Sequence, residues 1–248
     1  MAFLMFSILP MPQIQWKPEN MRSMLAWLPL VGAVIAAAQW LWFALCQALN
    51  LGTPLFAAGL TLLPILLSGG IHMDGFCDTV DALASHASPQ RKREILKDPH
   101  AGAFAVIFTG CYLLLFFALC AELPRTNTAV LALGLQQVLA RALGALCSVR
   151  FPSAAKSGLQ YSFQTAASKG TEAALLVWAV LCAAALCALS IAGGIVCAAV
   201  FLLCFFSLRR LAEKEFGGMS GDLAGYIITL SALLMCLGTI LIEKGTSL

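Results

Sequence analysis

Residues 72–81 read His72-Met73-Asp74-Gly75-Phe76-Cys77-Asp78-Thr79-Val80-Asp81. In a helix, Asp74, Asp78 and Asp81 stand at i, i+4 and i+7, within roughly 60° of arc on one face. Three carboxylates so placed repel one another, and no Lys or Arg follows at i+4 to relieve them. A divalent cation removes the conflict, and an all-oxygen donor set suits Mg²⁺ or Mn²⁺ better than zinc. A solvated helix face is the bland alternative. His72 joins the three as a catalytic candidate, although an interfacial histidine with ordinary partners would look the same in a sequence.

Three further signals accompany this stretch. Lys97-Asp98-Pro99-His100 pairs a cation with an Asp-Pro step, in which Asp98 is expected to cap a helix whose first turn holds Pro99. Arg91, Lys92 and Arg93, just before it, read as a membrane anchor. Gly217-Gly218-Met219-Ser220-Gly221-Asp222 is a glycine-rich turn ahead of a helix start, where backbone N–H groups can meet an anion; Asp222 is either its cap or a metal ligand. Arg141 interrupts an otherwise apolar run, and a charge inside a span usually faces a polar interior.

The elements that carry these residues are membrane helices. The 248-residue chain is 60% hydrophobic and 11% charged, less than half the charge of an ordinary soluble domain at about 25%. Windows free of Asp, Glu, Lys and Arg run over 27–49, 51–71, 101–121 and 223–242, and 128–149 is interrupted only by Arg141. Each is long enough to cross a bilayer, which takes about 20 residues. The window 173–208 has 36 uncharged residues, and Gly193-Gly194 is the expected turn between two helices. The expectation is an all-α, polytopic helical bundle with about seven transmembrane helices, forming one membrane-embedded catalytic domain over 1–248. Residues 1–16, apolar but containing Pro10 and Pro12, read as an interfacial or re-entrant segment, and 72–100, 150–172 and 209–222 as loops on one face.

Seven crossings put twelve basic residues, from Lys17 and Arg22 to Arg209, Arg210 and Lys214, on that face and leave only Arg125 and Lys244 on the other. The rich side is cytoplasmic by the positive-inside rule. Every aspartate and histidine falls on it. The net charge of +3 therefore records orientation and gives no case for nucleic acid. The ten cysteines contain no Cys-x-x-Cys pair and, nine of them within spans, read as small apolar residues. Acidic ligands, cations and a glycine turn at one membrane edge point to phosphoryl-group chemistry on a membrane-associated substrate.

At these residues the chain resembles the adenosylcobinamide-GDP ribazoletransferase family. The pattern H-x-D-G-x-x-D-x-x-D is met by His72, Asp74, Gly75, Asp78 and Asp81. A second stretch matches at Lys97, Asp98, Pro99, Gly102 and Phe104, a third at Gly218, Gly221, Asp222 and Gly225, and an early one at Phe3-Leu4 with Leu9-Pro10-Met11-Pro12. The likeness runs through almost the whole chain, with departures: Ala82 and Ala105 stand where the family commonly has Gly, Lys156 where Arg is usual, and Ser220 where Thr is usual.

The resemblance implies a Mg²⁺-dependent transfer that joins adenosylcobinamide-GDP to α-ribazole or α-ribazole 5′-phosphate and releases GMP, late in cobalamin assembly. It implies Asp74, Asp78, Asp81 and Asp222 as metal ligands, with the first three and His72 catalytic. Lys97, Asp98, Arg141, Lys156, Gly218, Ser220 and Gly221 would contact substrate. The expected setting is a bacterial or archaeal cytoplasmic membrane with the site facing the cytoplasm and lipid around it, alone, as a homo-oligomer or beside other enzymes of the pathway. A CDP-alcohol phosphatidyltransferase would need D-x-x-D-G-x-x-A-R, and no Ala-Arg follows here. A cation transporter would place its carboxylates near the bilayer midplane, whereas these sit at an edge.

Overall fold

The computed structural model describes residues 1–17 and 21–246, with the side chain of residue 246 left aside. In chain order the helices are α1 (Ala2–Phe6), α2 (Leu28–Ala48, entered through a 3-10 turn at Leu25–Trp27), α3 (Thr53–Leu67), α4 (Ile71–Ala84), α5 (Pro89–Ile95), α6 (Ala103–Glu122), α7 (Asn127–Arg150), α8 (Leu159–Ala166), α9 (Lys169–Leu189), α10 (Ile191–Leu211, continued by a π turn at Ala212–Phe216) and α11 (Gly221–Thr246). Among the described residues the one β feature is an isolated bridge between Ser153 and Met219. Six helices are long and apolar enough to cross a membrane, seven if α3 and α4, bent by 92°, count as one broken span. The expected all-α, polytopic architecture is the one observed, and the protein is integral to a membrane.

Helix α7 is central. It is buried along most of its length and touches α2, α9, α10 and α11, so it carries small and apolar residues nearly all round, as an enclosed helix must. The ends of the helices sort into two faces. On one, Gln47 Nε2 reaches the Arg125 carbonyl, Trp40 Nε1 donates to Asn127, and Lys244 pairs with Glu122 at 2.8 Å. On the other, Thr171 donates to the Arg22 carbonyl at 2.9 Å, Arg150 pairs with Glu172, and the 152–154 segment meets Met219. The acidic cluster lies on this second face.

One expectation is corrected and two elements gain detail. The 173–208 run breaks at Ser190, not at Gly193-Gly194: Ser190 is extended (φ −157°) and its hydroxyl caps α10 by accepting from Gly193 N–H, so the glycines occupy the first turn. Two full spans fit because α9 and α10 reach past the uncharged window to Lys169 and Leu211. The segments 72–100, 150–172 and 209–222, read as loops on one face, carry short helices of their own: α4 and α5, α8, and the π turn at Ala212–Phe216. Finally, the second apolar span does not run straight into the aspartate stretch, because Gly69 and Gly70, at φ 64° and 78°, turn the chain through a left-handed conformation open to glycine.

Candidate active site

Helices α4 and α11 cross at two glycines. A Cβ on Gly75 would stand 2.7 Å from the Asp222 carbonyl oxygen, and one on Gly225 would stand 2.9 Å from that of His72. Both obstacles are backbone, which cannot rotate away. Hydrogen at the two positions lets the helices approach closely and brings the acids of α4 beside the first turn of α11. The crossing is fastened by Thr229 Oγ1, donating to the His72 carbonyl at 3.2 Å, and by Phe76 stacked on Tyr226 at 5.8 Å.

Beside the crossing lies a cavity of about 540 Å³. Its polar wall brings together residues from all three motif regions: Asp74, Arg93 with Lys97, and Ser220, Gly221 and Asp222. The 153–157 segment and Gln160 close one side, and Phe6, Leu28, Phe163 and Ile228 form an apolar floor. His72 is part of that floor. It is 6% exposed, stacks on Phe6 at 6.1 Å, and neither ring nitrogen has a hydrogen-bond partner.

The stripe of three aspartates divides by role. Asp74 lines the cavity and is exposed; Asp78, half-buried on the next turn, feels the charges of Asp74, Asp222 and Asp81. Asp81 turns to the start of α6, where its Oδ1 accepts from Ala105 N–H at 3.2 Å. Helix α6 begins at Gly102, which has no side chain to cap it, and a Cβ there would overlap the Asp81 carboxylate. Asp81 therefore supplies from another helix the cap that α6 lacks.

Asp98 does not cap α6. Residues 98–102 are non-helical, and the Asp98 carboxylate accepts from the backbone N–H of His100 at 3.0 Å and contacts its ring Nδ1 at 2.8 Å. Those two contacts, the backbone one first, hold the exposed carboxyl below the usual carboxylate range. The cap of α11 is Ser220, whose Oγ accepts from Leu223 N–H at 3.2 Å. Asp222 is thereby free to face the cavity from the first turn, with Ser220 Oγ 3.5 Å from its Oδ2. Gly218, at φ 145°, runs against the backbone of Pro152 and Ala154, where Met219 N–H donates to the Pro152 carbonyl at 2.7 Å.

Arg141 and Lys156 do not line the cavity. Arg141 is 2% exposed and donates from Nη1 to the carbonyl and Oε1 of Gln137, both at 3.0 Å, with no carboxylate in ion-pair contact among the described residues. Lys156 is exposed, between Ala155 and Ser157, which do line the cavity. Two basic residues read as membrane anchors do more. Lys92, 6% exposed, forms an ion pair with Glu215 of the π turn, and Arg93 donates to the Phe216 carbonyl at 3.2 Å while lining the cavity. No local pattern marks either contact, since each joins residues 123 positions apart.

Among the described residues no group of three His, Cys, Asp or Glu side chains is arranged to hold a metal ion, and none of Asp74, Asp78, Asp81 and Asp222 forms an ion pair with Lys, Arg or His. The described residues thus hold no ready-made metal cage, and what bears on a divalent cation of the magnesium type is the chemistry of the carboxylate donors alone. Such an ion is commonly held by one or two carboxylates and completed by substrate phosphates rather than by a protein cage. The donors are hard oxygens, and among the described residues no Lys, Arg or His forms an ion pair with them.

Comparison with known proteins agrees with the motifs. The chain is 40% identical over 243 residues to an adenosylcobinamide-GDP ribazoletransferase of Lachnoclostridium phytofermentans, covering 98% of this chain and 92% of the relative. A protein of the same name from Clostridium perfringens is 32% identical, covering 93% and 92%, and one from Geobacillus thermodenitrificans is 33% identical, covering 92% and 89%. No solved structure matches. Residues 1–240 match the family model described as cobalamin-5-phosphate synthase, and the chain belongs to that family.

Proposed function

We propose that this chain carries out the transfer for which its relatives are named, joining adenosylcobinamide-GDP to α-ribazole or its 5′-phosphate with release of GMP. The observation that carries the reading is the convergence, on one cavity, of Asp74, Lys97 with Arg93, and Ser220 to Asp222. These are the groups a pyrophosphate-cleaving transfer needs: carboxylates to hold a cation and orient a hydroxyl, and cations to balance phosphate charge. Nothing in the fold or the comparisons supports the phosphatidyltransferase or transporter alternatives.

In the reaction a ribose hydroxyl of the acceptor forms a new bond to the phosphorus attached to cobinamide. The bond from that phosphorus to the bridging oxygen breaks, and the oxygen leaves as part of GMP while the hydroxyl proton is lost. Asp74, Asp78 and Asp222 would hold Mg²⁺, which when bound polarises the phosphoryl oxygens and offsets developing charge. Lys97 and Arg93, on the same polar wall, would balance the charge of the pyrophosphate, and Lys156, exposed between two lining residues, would add a cation at the mouth. Asp74, the most accessible of the acids, orients the attacking hydroxyl. Asp81 acts through the cap it gives α6, and His72 through the stacked floor it shares with Phe6. At 540 Å³ the cavity has the size of a small-molecule site, suited to the reacting phosphates and the acceptor, with the corrin ring outside. We infer that the acidic face lies toward the cytoplasm of the inner membrane, because most of the Lys and Arg residues flank that face.

The test is incubation of the purified chain with adenosylcobinamide-GDP, α-ribazole and Mg²⁺. GMP release that stops in excess EDTA and returns with added Mg²⁺ is expected. Full turnover in EDTA removes the cation from the reading, and no GMP in any metal overturns the reaction itself.

A further inference from the structure

A second hollow, of about 490 Å³, opens on the outer surface of the bundle between α7, α9 and α10. Its walls are apolar, with Leu176, Leu202 and Phe206 exposed at 43%, 54% and 57%, and Arg150 and Arg209 stand at its head. From Leu202 to Arg209 the groove follows α10 for roughly 10 Å. Each arginine is steadied by a neighbouring carboxylate, Arg150 by Glu172 at 2.7 Å and Arg209 by Glu213 at 3.1 Å. A guanidinium has five N–H donors, so each keeps several for another partner, and both side chains are more than half exposed.

We propose that this groove binds an anionic phospholipid of the surrounding bilayer. The headgroup phosphate lies between Arg150 and Arg209, and an acyl chain runs along Leu202, Phe205 and Phe206. The apolar length fits a chain, and the paired cations at the membrane edge select the headgroup, as basic pockets between helices do elsewhere. A zwitterionic headgroup carries no net charge for the arginines to attract. Glu172 and Glu213 each occupy only part of a guanidinium and leave N–H donors for the phosphate. The inference is independent of the transferase reading and involves none of the residues of the acidic cavity.

The test equilibrates the full-length protein in mild detergent with equal amounts of phosphatidylglycerol and phosphatidylcholine and counts retained lipid by native mass spectrometry. The wild type is expected to retain phosphatidylglycerol preferentially. Arg150→Ala and Arg209→Ala each weaken retention roughly fivefold, and Leu202→Trp, which fills the groove and leaves both arginines, displaces the lipid. Equal retention of the two lipids by the wild type, or undiminished phosphatidylglycerol in the arginine variants, overturns the proposal. Should those variants lose their melting transition, Leu202→Trp decides alone, and unchanged retention there overturns it equally.

Discussion

At Asp78 and Asp81 one residue type on one helix serves two purposes, and substitution by Asn separates them. Asn keeps an oxygen that accepts a hydrogen bond but carries no charge. Asp78, set among the charges of Asp74, Asp222 and Asp81, is proposed to act through its charge, so Asp78→Asn should lose GMP release by orders of magnitude while its melting temperature is unchanged or raised by the relief of like-charge repulsion. Asp81, whose Oδ1 accepts from Ala105 N–H, is proposed to act through that bond. Asp81→Asn should therefore keep most activity, and Asp81→Ala should lower stability by about 1 kcal/mol, the usual cost of a lost cap. A stable but inactive Asp81→Asn would return Asp81 to the metal ligands.

Arg141 follows the opposite logic. Its Nη1 donates to Gln137, the side chain is not among those that line the cavity, and its Nε has no partner. Replacing a buried charge by an apolar side chain of similar volume is often neutral or stabilising. Arg141→Met should therefore insert, retain its melting temperature and release GMP within a few-fold of the wild-type rate. A severe loss of turnover at unchanged stability would show that Arg141 reaches the substrate in the working enzyme.

The elements matter through how closely they approach. Gly225→Ala forces a methyl group against the His72 carbonyl and must separate α11 from α4. Overpacking of this kind costs about 1–3 kcal/mol, and the separation also pulls Asp222 away from Asp74, so GMP release should fall further than stability does. Gly110→Ala on α6 is the control: nothing lies within 4 Å of its Cβ position, and the helix should gain up to about 1 kcal/mol. Equal loss of turnover in the two variants would reject the crossing as the positioning device.

How much of this was legible in the sequence depends on the range of each interaction. The apolar spans and the acid-rich stretch were readable, because hydropathy and helical period are local properties of a chain. The bend at Gly69-Gly70 was hidden inside an apolar window that satisfied a span by length alone. The cap from Asp81 to α6, the Lys92–Glu215 pair and the Gly75–Gly225 crossing each join distant segments, and no local pattern encodes them. The glycines were visible as motif members, but the reason for them is the backbone each one faces.

For the whole molecule, the two faces of the bundle set the final prediction. The ends joined by Lys244–Glu122 and by Gln47 with the Arg125 carbonyl lie on one face, and those joined by Arg150–Glu172, Lys92–Glu215 and Ser153 with Met219 lie on the other. Counting α3 and α4 as one broken span gives seven crossings, which places the two termini on opposite sides. Most of the Lys and Arg residues flank the second face, so the positive-inside rule directs the acidic cavity to the cytoplasm. Single cysteines placed at the exposed positions Gln90, Thr165 and Pro124 test this with a membrane-impermeant maleimide in right-side-out and inverted vesicles. The ten natural cysteines are unpaired and mostly buried, so their background should be low. Gln90→Cys and Thr165→Cys should label only in inverted vesicles and Pro124→Cys only in right-side-out ones. If Gln90→Cys and Pro124→Cys label from the same side, α6 does not cross the membrane and the seven-crossing arrangement is wrong.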